Sequence, residues 1–257
     1  MVFDISVTIT KLNRPIEKKC REARKAGADR IELKQNDIFA WEEKNKILDE
    51  KFIDKFLPKN PPLPIIFTFY RPEEKPRLSP WTDKTWQELL HNLEDALHTR
   101  SIDYVDIESS LPKEPRAEAI EIARSYGATL IISSHHYHCT PEERILRGDY
   151  KKAKSLGADI VKIVPRNNNN DDARRTLGFA LKYCKKERVQ IWGMGKEGRL
   201  TRLNPDLDST FASFDGISAE GQMPLGDMYK IKRFYGNPRL REIIWDYLIL
   251  EMYGVRA

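Results

Sequence analysis

The sequence is poor in cysteine and in long apolar runs, and each shortage excludes a class of protein. Cys20, Cys139 and Cys184 are the three cysteines, far apart in 257 residues and without a CxxC pair. Neither a disulfide framework nor a zinc motif is indicated, and a reducing, cytoplasmic setting is expected. Nowhere do roughly 18 apolar residues run together, as a membrane helix requires. The opening MVFDISVTIT brings Asp4 early, with no basic stretch ahead of an apolar one, unlike a secretory signal. No GxGxxG follows the first expected strand and no GxxxxGK[ST] occurs, so the usual dinucleotide and triphosphate loops are missing. Neither sign of charge dominates: 44 Lys and Arg stand against 39 Asp and Glu, for a net +5. Because the charges are interspersed, a small anionic ligand is expected rather than nucleic acid or a membrane surface.

What is present reads as one globular enzyme. A hydrophobic share of 40% beside 32% charged residues is far from the composition of disorder. Short β-branched and aliphatic runs alternate with longer amphipathic segments, the signature of βα units on a parallel sheet. Eight strands are expected, at 3–9, 29–34, 64–69, 103–108, 129–134, 159–164, 188–193 and 212–217. Helix starts are read at Ser79-Pro80, at Thr140-Pro141 with Glu142 and Glu143, and at Asp171. A glycine precedes strands two, five and six, in Ala26-Gly27-Ala28-Asp29, Tyr126-Gly127-Ala128 and Leu156-Gly157-Ala158-Asp159, where a left-handed C-cap belongs. The expected fold is therefore a single (β/α)8 TIM barrel over residues 1–257, with an open doubly wound sheet as the alternative. Asn167 to Asn170 reads as a solvated loop. The helix from Pro238 carries an apolar stripe of Leu240, Ile243, Ile244, Tyr247, Leu248 and Met252, fit to close the barrel wall or to meet another subunit.

In such a barrel the chemistry gathers at the carboxyl ends of the strands. Period-two alternation puts Glu32 with Lys34, Asp106 with Glu108, and Ser133 with His135 on common faces, and sets Lys162 in the otherwise apolar DIVKIV. A buried lysine needs a partner or a purpose. Desolvation is expected to lower its pKa and supply the neutral amine that attacks a carbonyl; the competing reading is an aliphatic stem that packs while its ammonium reaches water. His135 fits a general acid/base or a structural histidine. Glu108 fits a group that orients His135, or a surface ion pair; Glu32 with Lys34 fits a surface pair equally well. His135, His136 and His138 form HHxH, but adjacent strand residues face opposite ways and no HExxH or CxxC supports a metal site.

Taken in order, these segments resemble the type I 3-dehydroquinate dehydratases over nearly the whole chain. The resemblance is carried by Gly27-Ala28-Asp29-Arg30-Ile31-Glu32-Leu33-Lys34, Pro64 to Phe69, Asp103 to Glu108, and Ser133-Ser134-His135-His136-Tyr137-His138-Cys139-Thr140-Pro141. Gly157 to Lys162, Met194 to Arg202, and Ser218-Ala219-Glu220-Gly221-Gln222 complete it. It implies a Schiff base on Lys162, with His135 as proton carrier and Glu108 as its orienter. Arg202, Ser218 and Gln222 would hold a ring carboxylate, and Glu32, Lys34, Ser6 and Arg71 the ring hydroxyls. The implied reaction dehydrates 3-dehydroquinate to 3-dehydroshikimate, with no cofactor and no metal, in a homodimer. Departures from the family pattern fall in the pocket. Lys34 stands for an arginine, losing the planar fork; Tyr70 occupies another arginine position, with Arg71 beside it. His136, Tyr137, Trp192-Gly193 and Glu220 replace aspartate, phenylalanine, a small serine and proline. A Schiff-base aldolase and a non-catalytic carboxylate-binding barrel are the rival readings.

Overall fold

The structure is a computed structural model that describes residues 2–11, 16–35, 38, 57, 59–69 and 83–253. Its strands are β1 (Asp4–Thr8), β2 (Arg30–Lys34), β3 (Ile65–Phe69), β4 (Tyr104–Glu108), β5 (Thr129–His136), β6 (Ile160–Pro165), β7 (Val189–Ile191), β8 (Ser209–Ser213) and the short β9 (Met223–Pro224). The described helices are α1 (Ile16–Lys25), α2 (Asp83–His98), α3 (Lys113–Ser125), α4 (Glu143–Ser155), α5 (Asn170–Leu181), α6 (Leu225–Tyr235) and α7 (Pro238–Tyr253). All the pairings are parallel and run β7-β6-β5-β4-β3-β2-β1-β8-β9. The ring closes where Asp208, just ahead of β8, donates its amide to Val189 of β7 at 2.9 Å. The result is the expected (β/α)8 barrel.

Outward-facing strand residues such as Ile5, Val7, Ile31, Leu33, Phe67, Val105, Ile107, Ile132 and Ile163 are buried against the helices. Burying one such side chain stabilises the fold by about 1.5–3 kcal/mol. Positive-φ glycines and carboxylate clasps recur where helices return to strands. Gly27, Gly127 and Gly157 all have positive φ, and a Cβ at Gly27 would stand 2.4 Å from the Tyr229 ring, so glycine is required there on two counts. Beyond the glycine, Asp29 gives its amide to Ile5 and takes the Ile5 amide on its carboxylate at 2.7 Å. Asp103 repeats this pair of bonds with Ile65, and Asp159 the same with Leu130. Aspartates leading into β2, β4 and β6 thus satisfy an amide at the start of the odd strand before each.

Several sequence expectations shift. The eighth strand runs Ser209–Ser213, not 212–217, because the Asp215 carboxylate turns back to accept from Thr10 and Lys11 and to pair with Lys19. Thr140 does not cap α4, whose N-cap is Glu142 without a side-chain bond; its hydroxyl donates to the Arg166 carbonyl instead. The asparagine run is not simply solvated. Asn167 is buried, and Asn169 caps α5 by accepting from the Asp172 amide. On α7 the inward face is rotated from the stripe read in sequence: Ile244 and Leu248 pack on the main core, Trp245 and Ile249 on Ala173 and Leu177 of α5. Leu240, Ile243 and Tyr247 lie outward. The helix does close the barrel wall. Ser79, Tyr70 and Arg71 lie outside the described residues, as does the Met252 side chain.

At the amino ends of the strands the barrel is plugged by ions. Arg30 bonds Asp4 and Asp208, each at 2.7 Å, and lies over the Tyr104 ring, while Arg188 holds the other Asp208 oxygen at 2.7 Å. Burial alone would raise the Asp208 carboxyl, but Arg30 and Arg188 outweigh it and hold it below the usual carboxylate range. A group depressed in the fold contributes stability that is present above its unfolded pKa and lost as pH falls through the folded value. Asp208→Ala should cost about 3 kcal/mol in denaturant unfolding at neutral pH by leaving the buried Arg30 with only the part-exposed Asp4 as counter-charge. The variant's stability should also fall less steeply than the parent's below about pH 4. Equal stability at pH 7 would remove the plug from the stability account.

Candidate active site

The inward rows of the strands rise from this plug to a polar cluster at the opposite end. Parallel register puts Glu32 beside Thr8 and Ile66, Thr68 beside Asp106, Glu108 beside Ser133, and Ser133 beside Lys162. Lys162 is only 5% exposed. Its Nζ donates to Asp106 Oδ2 at 2.7 Å, lies 3.8 Å from Glu32 Oε1, and sits 4.8 Å from the centre of the Phe211 ring. Burial pulls this amine's pKa down, as expected from sequence. The carboxylates of Asp106, Glu32 and Glu108 together outweigh burial, so Lys162 ends above an ordinary lysine. The resting group is an ammonium, which corrects the expectation of a depressed amine; snorkelling is equally inapplicable, since the head itself is buried.

Glu32 is held on both oxygens, by the Thr8 hydroxyl at 2.6 Å and the Thr68 hydroxyl at 2.9 Å. Burial pushes its carboxyl up, but Lys34, Lys162 and the two hydroxyls prevail and keep it below the usual range. Glu32 with Lys34 is therefore no surface pair: Lys34 faces the same cluster from the rim of β2. His135 stands one pleat above Ser133 on β5. Its Nδ1 meets Glu108 Oε2 at 2.5 Å, and the same carboxylate accepts from Ser133 and the His135 amide. Nδ1 is engaged with the carboxylate, which leaves Nε2 as the ring nitrogen that can face a ligand. Tyr137 stacks on the imidazole, with centroids 5.6 Å apart and planes 8° from parallel. His136 turns away, as alternation requires, and bonds Asp149 of α4 at 2.7 Å.

Arg202 comes from the short 3-10 helix Arg199–Leu203 after β7. It is 1% exposed, yet no carboxylate or other hydrogen-bond acceptor among the described residues meets its side chain, and its Nε is buried without a partner. Burial alone drives its pKa down, to about 9. Its guanidinium lies 5.8 Å from the Trp192 ring, which in turn lies 5.8 Å from Phe211. A chain of aromatic contacts through Phe211 and Trp192 thus links Lys162 to Arg202. An uncompensated buried guanidinium is costly, and a carboxylate ligand is its natural complement.

Ser218 is linked to Thr8 at 3.0 Å and to Gln222 at 2.8 Å, so the loop after β8 connects through Thr8 to Glu32. Ser6 lies lower than the other expected residues. It is fully buried, one layer below Thr8, with its hydroxyl 3.4 Å from Ser209, so Thr8 and not Ser6 reaches the cluster. Sequence reading passed over Thr8, Thr68 and Phe211, and noted Asp106 without giving it a role. Alternation on β1, β3, β4 and β8 was the available signal. Beneath the rim, Asn167 donates to Thr140 at 2.6 Å and Thr176 at 2.8 Å. Its Oδ1 fills the space where a Cβ on Gly193 would stand, 1.7 Å away. Gly193 is required there, and it fixes Trp192 and Met194 on either side.

A barrel with a buried cluster of lysine, carboxylates and histidine at the carboxyl ends of its strands defines the class, an α/β barrel with an enzyme-type site. The profile of the Type I 3-dehydroquinase family matches residues 4–238, and the chain belongs to that family. It is 34% identical over 145 residues to a 3-dehydroquinate dehydratase of Alkaliphilus oremlandii, covering 54% of this chain and 56% of that protein. A counterpart from Thermodesulfovibrio yellowstonii is 35% identical over 136 residues, covering 52% and 59%. The chain therefore spans little more than half the length of these curated relatives. Among solved structures, the 3-dehydroquinate dehydratase of Geobacillus kaustophilus superposes with a TM-score of 0.75 at 22% identity over 90% of each chain. That of Aquifex aeolicus gives 0.65 at 25% identity, covering 90% of this chain and 98% of the other.

Arg202 supplies a prediction whose sign differs between two measurements. Arg202→Met removes a buried charge that no described residue compensates, so thermal unfolding of the ligand-free protein should be unchanged or higher. Affinity for a small ring carboxylate, read by calorimetry, should fall roughly 10- to 100-fold with the loss of a charge-assisted pair. A marked drop in melting temperature with unaltered affinity would make Arg202 a structural residue.

Proposed function

We propose that this chain is a lyase that dehydrates 3-dehydroquinate to 3-dehydroshikimate, in the shikimate route to aromatic amino acids, through a Schiff base on Lys162. The observation that carries the reading is the buried Lys162 ammonium set among three carboxylates, with the Glu108-held His135 one pleat above it on the next strand. Membership of the type I 3-dehydroquinase family supports the substrate.

In this mechanism Lys162 condenses with the ring ketone, and the protonated imine withdraws electrons from the neighbouring carbon. His135 Nε2 removes the proton from that carbon, and Glu108, on Nδ1, stabilises the imidazolium that forms. The same imidazolium then protonates the departing hydroxyl and later assists hydrolysis of the product imine. Arg202 binds the ring carboxylate with Ser218 and Gln222, while Glu32 and Lys34 address the hydroxyls. Arg71 keeps the hydroxyl-side role that the resemblance gives it, and Thr8 takes the contact first expected of Ser6. The aromatic pair Trp192 and Phe211 closes the space between carboxylate and amine to water. No resident cofactor or metal enters these steps. The free thiols Cys20, Cys139 and Cys184 suit a reducing cytoplasm. A homodimer is supported by the exposed Leu240, Ile243 and Tyr247 on α7.

Incubation with 3-dehydroquinate should generate a conjugated, ultraviolet-absorbing enone and no aldehyde; an aldehyde product would mark an aldolase. Borohydride added during turnover should fix the mass of the reduced ligand on Lys162, and Lys162→Ala should carry none. His135→Ala should still form that adduct while eliminating about 10²- to 10⁴-fold more slowly. A parent protein that binds the compound but gives neither enone nor adduct would leave only a carboxylate-binding barrel.

A further inference from the structure

We propose that Asp106 is the proton relay of imine formation: it takes the proton that frees the Lys162 amine for attack, and delivers it to the oxygen that leaves as water. The proposal rests on the Schiff-base reading above. It begins from the buried Lys162 Nζ, hydrogen-bonded to the Asp106 carboxylate at 2.7 Å; an ammonium held this way has no lone pair to offer a ketone. Some base must remove a proton inside the barrel, where water has little access.

Three carboxylates and one imidazole among the described residues surround the amine, and Asp106 alone of them is hydrogen-bonded to it. Glu32, from β2, has Oε2 occupied by Thr8 and Oε1 by Thr68, and it also feels the charge of Lys34. Glu108, from β4, is engaged by His135 Nδ1, Ser133 and the His135 amide. His135, from β5, has Nδ1 in that pair and makes no hydrogen bond to Nζ, and its Nε2 has the substrate-carbon role proposed above. The remaining neighbours are the Phe211 ring from β8 and Gln190, which is level with Lys162 on β7 and whose amide donates to Asp208. Asp106, also from β4 and 1% exposed, has Oδ2 at 2.7 Å from Nζ, while its Oδ1 is buried with no partner among the described residues. One oxygen is in line with the proton to be moved, and the other has a free lone pair.

The step balances without solvent. The ammonium gives one proton to Asp106, and the nitrogen lone pair forms the C–N bond as the carbonyl pair moves onto oxygen. That oxygen takes the proton back from Asp106. A second proton then passes from the carbinolamine nitrogen through Asp106 to the hydroxyl, the C–O bond breaks, water leaves, and the nitrogen lone pair closes the C=N bond. Ammonium and ketone become iminium and water, and Asp106 ends as the carboxylate beside the iminium. The high basicity of Lys162 in this setting agrees with the assignment, since the carboxylates favour both cationic states, ammonium and iminium, over the neutral amine.

The test measures how fast adduct forms on Lys162, by rapid mixing with 3-dehydroquinate, a borohydride quench and mass spectrometry. An internal relay predicts a rate that is flat between about pH 6 and 9, well below the ordinary lysine pKa. Asp106→Asn keeps an oxygen that can accept from Nζ but cannot carry the proton. Its adduct should form about 10²- to 10⁴-fold more slowly at pH 7 and accelerate with rising pH, as solvent takes over the proton removal. Asp106→Glu should restore the flat profile. Adduct formation by Asp106→Asn at the parental rate and profile would overturn the proposal, because Asp106 would then only hold the lysine in place. Should Asp106→Asn fail to fold by circular dichroism, the parent decides: a flat profile supports the relay, and a rate climbing with pH overturns it. Absence of any adduct on the parent would overturn the Schiff-base reading itself, and the relay with it.

Discussion

The buried ion pair between Lys162 and Asp106 is the constraint around which the upper half of the barrel is arranged. A lone ammonium at that depth would be very costly, and would lose its proton or distort the fold. Asp106 offsets that cost directly, at 2.7 Å. Glu32 contributes from 3.8 Å, and it remains ionised because the charges of Lys34 and Lys162, aided by the Thr8 and Thr68 hydroxyls on its oxygens, outweigh its burial. Thr8 in turn is the anchor of Ser218, so the loop after β8 is positioned through the same chain of contacts. Removing any one partner leaves the others with unmatched charge, and this interdependence is what makes the cluster rigid before a ligand arrives.

Much of this was legible in the sequence, because two simple periodicities govern it. Alternating apolar runs and amphipathic segments gave the barrel and the order of its strands. Period two placed Glu32, Asp106, Glu108, His135 and Lys162 on inward faces, and the structure puts them there. Depth and partnership were harder to read. Ser6 and Thr8 share a face, and only the stagger between β1 and β2 shows that Thr8 reaches Glu32. The bond between Asp106 and Lys162 joins positions 56 apart in sequence, on strands separated by β5, so no local pattern announces it. The direction of the lysine's pKa followed from that missed contact: burial was foreseen and the compensating carboxylates were not. Thr140 carries the sequence chemistry of a helix cap, but its hydroxyl is taken by the Asn167 knot, a tertiary competitor invisible in a local window. On α7 the apolar residues cover more than one face, so the stripe could not show which side meets α5.

Arg30 and Arg202 set the two ends of the barrel in contrast. Both are almost fully buried guanidiniums, 4% and 1% exposed, and both lie near an aromatic ring. Arg30 has two aspartates, and its pKa rises above the arginine norm although burial, the largest single influence on it, opposes this. Arg202 has no described partner, and burial alone acts on it. Among the described residues, the buried guanidinium at the amino end of the barrel is therefore compensated and the one at the carboxyl end is not. A fold selected only for stability would have an apolar side chain in place of Arg202, since an uncompensated buried charge weakens the protein that carries it. On the function proposed above, the negative charge that no described residue supplies to Arg202 is the ligand's carboxylate, and the fold tolerates the deficit until that ligand binds.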